Sequence, residues 1–305
     1  MSTYIIRRLL QGILTFLGVS LLVFVMGRMT GDPIRLLVPE TATAEQRQAV
    51  RESLGLDKPI LVQYGMFLIN LAQGDLGRSY LQRTEVTELV LSRMPATLQL
   101  ALVSIVLSVI ISIPIGVFVA LKRNTMWDLF GSGLALLGQA TPNFWLGMIL
   151  IIIFGVELKI LPISGRGTPA HIILPAVTLA LASVGYFVRL MRSSMLDVLG
   201  QDYMRTAKSK GATDTAILFQ HGLKNALIPV ITMMGMQFGN ILTGAFIVET
   251  VFAWPGIGRL GVTSLFERDF PVIQGVIVLS SAVFVLSNLL VDILYSVLDP
   301  RIRME

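Results

Sequence analysis

The chain has 305 residues, 54% hydrophobic and 14% charged, with a mean hydropathy of +0.75 and a net charge of +5. Soluble domains carry about 25% charged residues, so much of this surface does not face water. Cysteine is absent and histidine is confined to His171 and His221, which excludes disulfides, thiolate nucleophiles and cysteine-based metal sites and argues against a zinc centre.

Arg7 and Arg8 precede an apolar run from Leu9 to Met26. That run exceeds a signal-peptide core and no small-x-small cleavage site follows it, so it reads as a retained first span. Apolar stretches recur at roughly 8–27, 96–121, 132–156, 172–190, 226–248 and 272–298, each near the ~20 residues of a bilayer crossing. Thr141-Pro142-Asn143 interrupts the third. Pro114, Pro142, Pro175 and Pro229 fall within or at the starts of spans, where the carbonyls they free must be satisfied by neighbouring helices. The expectation is an all-α membrane protein of about six transmembrane helices packed as a bundle. Residues 1–95 would hold the first span and a helical cap, and 96–305 a core of about five spans.

The connection between the first and second spans is more than a tether. Ala44 to Leu54 reads as a polar surface helix, and Leu56-Asp57-Lys58-Pro59 breaks it. Pro59 can open a second helix from Ile60 to Ala72, which Gly74-Asp75-Leu76-Gly77 ends. Lysine and arginine in the short loops set the orientation. With the N-terminus inside, the inner segments carry twelve basic residues and the short outer loops four: Lys159, Arg166, Arg259 and Arg268. Both termini are therefore expected in the cytosol and the folded cap outside. The positive charge serves orientation and contact with membrane lipid, not nucleic acid.

No G-x-x-x-x-G-K-[ST] loop occurs, so the chain has no recognisable ATP site of its own. No H-E-x-x-H, G-x-S-x-G or paired-histidine site appears either. The expectation is a transport subunit with no covalent chemistry and no cofactor or metal of its own, driven by a partner or an ion gradient.

The cytosolic loop from about Met191 to Asn225 is far longer than a turn requires. Leu196, Leu199, Tyr203 and Ala207 recur at helical spacing and would make one apolar face. Gly211 can close a helix in the left-handed conformation, and Thr213 or Asp214 can cap the next. Two readings fit this helix–turn–helix: docking in the groove of a cytosolic partner, or an amphipathic element resting on anionic lipid.

Arg205-Thr206-Ala207-x-x-x-Gly211 resembles the EAA loop of ABC-importer permeases. The general family pattern begins Glu-Ala-Ala and carries a proline thirteen residues after the glycine; this chain has Lys224 there and its proline at Pro229. The departures match the R-T-A-x-x-K-G variant of the dipeptide/oligopeptide/nickel branch. Further stretches agree with that branch: Leu54-Gly55-Leu56-Asp57-x-Pro59 with Gln63-Tyr64, Gly74-Asp75-Leu76-Gly77-x-Ser79, Glu249-x-Val251-Phe252-x-x-Pro255-Gly256-Ile257-Gly258, and Asp299-Pro300-x-Ile302-Arg303. The resemblance implies a multi-pass permease of a bacterial or archaeal cytoplasmic membrane. It implies a second similar permease, two ATP-binding subunits holding ATP and Mg, and an extracytoplasmic solute-binding protein. Tyr203, Arg205, Thr206, Ala207, Lys210, Gly211 and Ala212 would then form the seat for the ATPases.

Inside the membrane, Gly235 and Gly239, continued by Thr243, put small side chains along one face of the fifth span. That face suits close approach of a partner permease or of a helix of this chain. Gln237 and Asn240 either line a polar path or serve as interhelical hydrogen bonds. Asp292, which at a bilayer centre would cost about 2.5–3.5 kcal/mol, is either a gate or a helix-end carboxylate with a local partner. Glu249 would shape an outer gate with Trp254-Pro255-Gly256 or sit as an interfacial carboxylate. The rival class is an ion-coupled secondary transporter using Asp292, which would carry an internal repeat; none is visible. Peptides suit this chain better than nickel as cargo, because no imidazole or soft-ligand cluster lies in a span; glutathione and metal chelates stay open.

Overall fold

A computed structural model describes residues 2–29, 34, 38, 41–53 and 55–298, with the side chains of 2–5, of 29 and from 290 onward outside the description. Leu54 and the motif from Asp299 to Arg303 therefore lie outside the described residues. Among these residues helix dominates, and the extended pairing is an isolated antiparallel bridge between Arg78 and Glu85. Two compact units form: residues 1–95 with 256–289, and residues 96–255 with the chain from Leu290 onward.

The first unit contains α1 (Ser2–Met29), α2 (Ala44–Ser53), α3 (Ile60–Ala72) and α11 (Ile257–Glu267), with the first turns of α4 (Val86–Leu121) and most of α12 (Phe270–Leu298). The two cap helices expected from the sequence are α2 and α3. Pro59 stands ahead of α3 and its carbonyl accepts from Gln63 N at 3.1 Å. Phe24 of α1 lies between Tyr64 and Phe67 of α3, at 5.4 and 5.8 Å between ring centres. Ser20 and Tyr64 share a hydrogen bond of 2.9 Å on the same seam. Asp269, wholly buried, ties down the loop before α4. It accepts from Ser79 Oγ, from Tyr80 N at 3.1 Å and from Leu81 N at 3.3 Å. Burial pushes the Tyr80 hydroxyl above its usual pKa, with Arg28 opposing the shift and Asp269 adding to it.

The second unit is built around α7 (Ile173–Leu199), entered through a 3₁₀ turn at Pro169–Ile172. α5 (Met126–Ala140) and α10 (Lys224–Val251) pack against α7 more extensively than other elements do. Ala135, Val184 and Val188 are buried there together, with Ile111, Ile115 and Leu181 around them. The α5–α7 approach is close because both sides are small: a Cβ on Gly185 would stand 2.2 Å from the Ala135 carbonyl oxygen, and one on Gly138 3.0 Å from that of Leu181.

Among the described residues five helices are long and apolar enough to cross a membrane, and a sixth crossing exists only if a bent pair counts as one. That pair is the third apolar stretch, whose interruption at Thr141-Pro142-Asn143 the sequence marks. α5 ends at Ala140, α6 (Asn143–Leu150) begins after Pro142 and continues as a π-helix over Ile151–Glu157, and the two arms meet at 103°. Pro142 has no N–H to offer the preceding turn and holds Thr141 extended, at φ −81° and ψ 128°. Thr141 Oγ1 covers the Leu137 carbonyl at 2.7 Å. The second span also starts earlier than its apolar run, because Val86 and Val90, both fully buried, supply an i, i+4 stripe for α4 ahead of Pro95.

Candidate functional site

The loop after α7 folds into an elbow. α7 stops at Leu199, and Gln201 is extended at φ −75° and ψ 149° before α8 (Asp202–Ser209) begins. Gly211 N–H then donates to the Lys208 carbonyl at 3.0 Å, and Ala212 N–H to that of Ala207 at 3.2 Å. These are the paired bonds of a Schellman closure, which demands positive φ; Gly211 sits at +82°. Thr213 Oγ1 caps the next helix by accepting from Ala216 N at 3.3 Å. α9 (Asp214–Ala216) runs through a π-helix at Ile217–Leu223 into α10.

The expected apolar face of Leu196, Leu199, Tyr203 and Ala207 is not one face. The break at Gly200 and Gln201 resets the helical phase, so α8 buries Met204 and leaves Tyr203 43% exposed. The methyl groups of Met195 and Met204 lie over Gly222, where an added Cβ would stand 3.0 and 3.6 Å from them. The α8 face away from this seat is polar and open. Arg205 and Thr206 are exposed on it, Tyr203 is exposed beside Met204, Lys210 and Gly211 are exposed in the turn that follows, and Ala207 and Ala212 are half-buried. Its ion pairs, Arg205–Asp202 at 3.9 Å and Lys208–Asp214 at 3.5 Å, are exposed and add little stability. The elbow is a small knob with a basic, hydrogen-bonding surface and one methionine anchor.

Along α10, Gln237 Nε2 donates to Ser183 Oγ of α7 at 3.4 Å, and Asn240 Nδ2 donates to Gln237 Oε1 at 2.8 Å. The two amides thus form a relay from the α7 contact to the exposed Asn240. Gly239 is buried, Gly235 half-buried and Thr243 exposed. Glu249, near the far end of α10, is 0% exposed and accepts from Thr97 Oγ1 at 2.6 Å. Its backbone carbonyl takes the Trp254 N–H at 2.8 Å, and Trp254 Nε1 donates to the Ala96 carbonyl at 2.9 Å. Arg166 lies 5.6 Å from the Trp254 ring centre and donates to Gln99 Oε1 at 2.8 Å. These contacts join the starting turns of the apolar part of α4, the 158–168 loop and the end of α10. Asp292 belongs to α12, where its side chain lies outside the described residues.

Sequence reasoning missed three features. Arg192 of α7 grips Asp128 of α5 with two parallel bonds of 2.6 and 2.8 Å, and Asn124 N adds a third contact to the carboxylate at 3.0 Å. The available signal was that both charges stand at the ends of apolar stretches, where an ionisable side chain needs a partner. The Gly138/Gly185 approach was overlooked in favour of Gly235 and Gly239. Asp269 carried no local signal at all. Among the described residues, no group of three or more His, Asp or Glu side chains is placed to hold a metal ion.

Comparison with known proteins gives a family match over almost the whole chain. Residues 112–304 match the binding-protein-dependent transport system inner membrane component family, and residues 1–101 match its N-terminal membrane-component region. The glutathione transport system permease protein GsiC of Escherichia coli O6:H1 is 46% identical over 304 residues, 99% of either chain. GsiC of Escherichia coli K12 and of Salmonella typhimurium are 45% identical over the same coverage. The inward-facing MetNI methionine ABC transporter superposes with a TM-score of 0.60 at 19% identity, covering 69% of this chain and 96% of that one. An amino acid ABC transporter gives 0.51 at 18%, over 69% and 94%.

Proposed function

From the premise that this chain belongs to the binding-protein-dependent transport system inner membrane component family, and is a permease of a bacterial inner membrane, we propose that it imports glutathione or a closely similar short peptide. In this reading ATP hydrolysis takes place on two separate ATP-binding subunits seated on the α8 elbow. A second permease completes the path, an extracytoplasmic binding protein delivers the solute, and both chain termini lie inside. The similarity to glutathione permeases along the full length of the chain carries the substrate assignment. The elbow geometry supports the coupling assignment. α8 is closed at its C-terminal end by the Gly211 turn, anchored on Met195 and Gly222, and presents an exposed polar face suited to a groove.

The mechanism is two-state gating. A partner that binds the elbow more tightly in one conformation shifts the span equilibrium by that difference in affinity and no more. The Gln237–Asn240 relay supplies neutral amide donors and acceptors, which match a solute made of amide bonds and carboxylates. The Glu249–Thr97 and Trp254–Ala96 bonds lock the far end of α10 and act as a strut.

The test is uptake into liposomes containing the purified permease pair and ATPases, with binding protein outside and ATP inside. The solute panel is glutathione, di- and oligopeptides, and a nickel chelate. Saturable, ATP-dependent glutathione uptake is the expected result. Uptake of the nickel chelate alone would overturn the substrate assignment, and uptake without any nucleotide would overturn the coupling assignment.

A further inference from the structure

We infer that Asn225 is the positioning residue that ties the elbow to the fifth-span helix, making the Tyr203–Asn225–His221 bridge the directional link in force transmission. Three observations converge on it. Asn225 Nδ2 donates to Tyr203 Oη of α8 at 3.1 Å and to the His221 carbonyl at 2.9 Å. An amide nitrogen has two protons, and these bonds use both. The second acceptor lies inside the π-helix of Ile217–Leu223, whose i→i+5 pairing departs from the α-helical ladder. Pro229, inside α10, has no N–H for the Asn225 carbonyl four residues back. The backbone ladder is thus weakened on both sides of Asn225, and its side chain bridges the weak stretch to a different element.

The neighbouring contacts do not do this work. Met204 on Met195 and Gly222 seats α8 through flexible thioethers, which slide and re-pack with little loss. Hydrogen bonds fall off steeply with angle, so the bridge fixes the rotation of α8 about its axis relative to α10. When α8 is displaced by its partner, Tyr203 pulls Asn225, and the chain yields at the π segment that precedes α10.

This inference rests on the reading of α8 as the ATPase seat. The experiment uses the full complex in proteoliposomes with its binding protein and measures glutathione uptake and ATP hydrolysis together. Tyr203→Phe removes one hydroxyl and leaves the ring; Asn225→Ala removes both bonds; Asn225→Gln keeps the amide on a longer stem. The expected result is that Tyr203→Phe and Asn225→Ala each lower solute moved per ATP at least fivefold, and that in Asn225→Ala, which lies outside the ATPase seat, hydrolysis continues and the ATPases co-purify. The double variant should be no worse than Asn225→Ala, because both lose one shared bond, and Asn225→Gln should recover part of the ratio. Wild-type stoichiometry in Tyr203→Phe, or additive losses in the double variant, would overturn the bridge. Failure of the underlying reading is distinguishable, because the unsubstituted complex would then take up solute irrespective of ATP.

Discussion

Replacing Gly211 separates backbone strain from side-chain collision at the elbow. A Cβ at this position would meet nothing within 4 Å, yet φ is +82°. Space is therefore no obstacle within the chain, and the whole penalty is conformational. An L-residue held in the left-handed region costs roughly 1–2 kcal/mol, and asparagine less because its short side chain bonds locally. A change of 1–2 kcal/mol alters a two-state ratio about 5–30-fold. Alanine should accordingly reduce the fraction of elbows closed by the Gly211–Lys208 and Ala212–Ala207 bonds, and valine, β-branched, should reduce it further. Binding-protein-stimulated ATP hydrolysis and glutathione uptake in proteoliposomes should both fall in the order Gly, Asn, Ala, Val, with membrane insertion unchanged. The informative step is asparagine above alanine, since asparagine is the larger. A series that instead tracked side-chain volume, with asparagine below alanine, would show that Gly211 is pressed against a partner surface and would refute the strain argument.

Gly185→Ala places a methyl 2.2 Å from the Ala135 carbonyl oxygen. The parting of α5 from α7 should cost at least about 1–3 kcal/mol, read as a lower Tm in detergent, while Gly133→Ala, which faces open space, should leave Tm unchanged. Asp128→Asn removes the charge gripped by Arg192 at 2.6 and 2.8 Å. It should destabilise by about 1.5–3 kcal/mol, and Arg192→Lys should fail to mimic the wild type because lysine cannot form the fork; equal Tm for Arg192→Lys and wild type would count against the bidentate role. Asp269→Asn weakens the anchor of Ser79, Tyr80 and Leu81, so limited proteolysis should cut between Arg78 and Glu85 faster than in the parent chain.

What could be read in advance was what is local. Five of the expected spans correspond to membrane-length helices, because a run of about 20 apolar residues is a signal independent of tertiary context. Thr141-Pro142-Asn143 marked the interruption of the third, but nothing local sets an angle of 103°. The Gly211 closure was legible since glycine, helix end and Thr213 cap lie within a few residues. The α8 face was misread because periodicity was carried across Gly200, where the chain leaves the helix and the phase restarts at Asp202. Asp128 and Arg192 are 64 residues apart, and Thr97 and Glu249 are 152 apart. Pairings at such separations depend on which helices become neighbours, which hydropathy does not encode. Of the residues proposed for the path, Gln237 and Asn240 are placed in one relay and Glu249 in a separate buried strut.

Within the second unit the distribution of burial says where motion can enter. In α7, 61% of the apolar window is buried, against 22% for the segment from Asp214 to Val251. α7 is also pinned by the Arg192–Asp128 fork and by the Gly185 contact, so displacing it would break several close-packed interfaces together. The segment leading into α10 has less to lose: it contains a π-helix, an internal proline and an exposed outer face. If α8 is the seat proposed above, a push on it meets a stiff post on one side and a compliant lever on the other. The compliant side should move, carrying the Gln237–Asn240 relay with it while the Glu249 strut holds the far end of α10. On the proposed reading of Gln237 and Asn240 as path residues, rotation of the amides relative to a fixed end would give a gate without translating the whole helix.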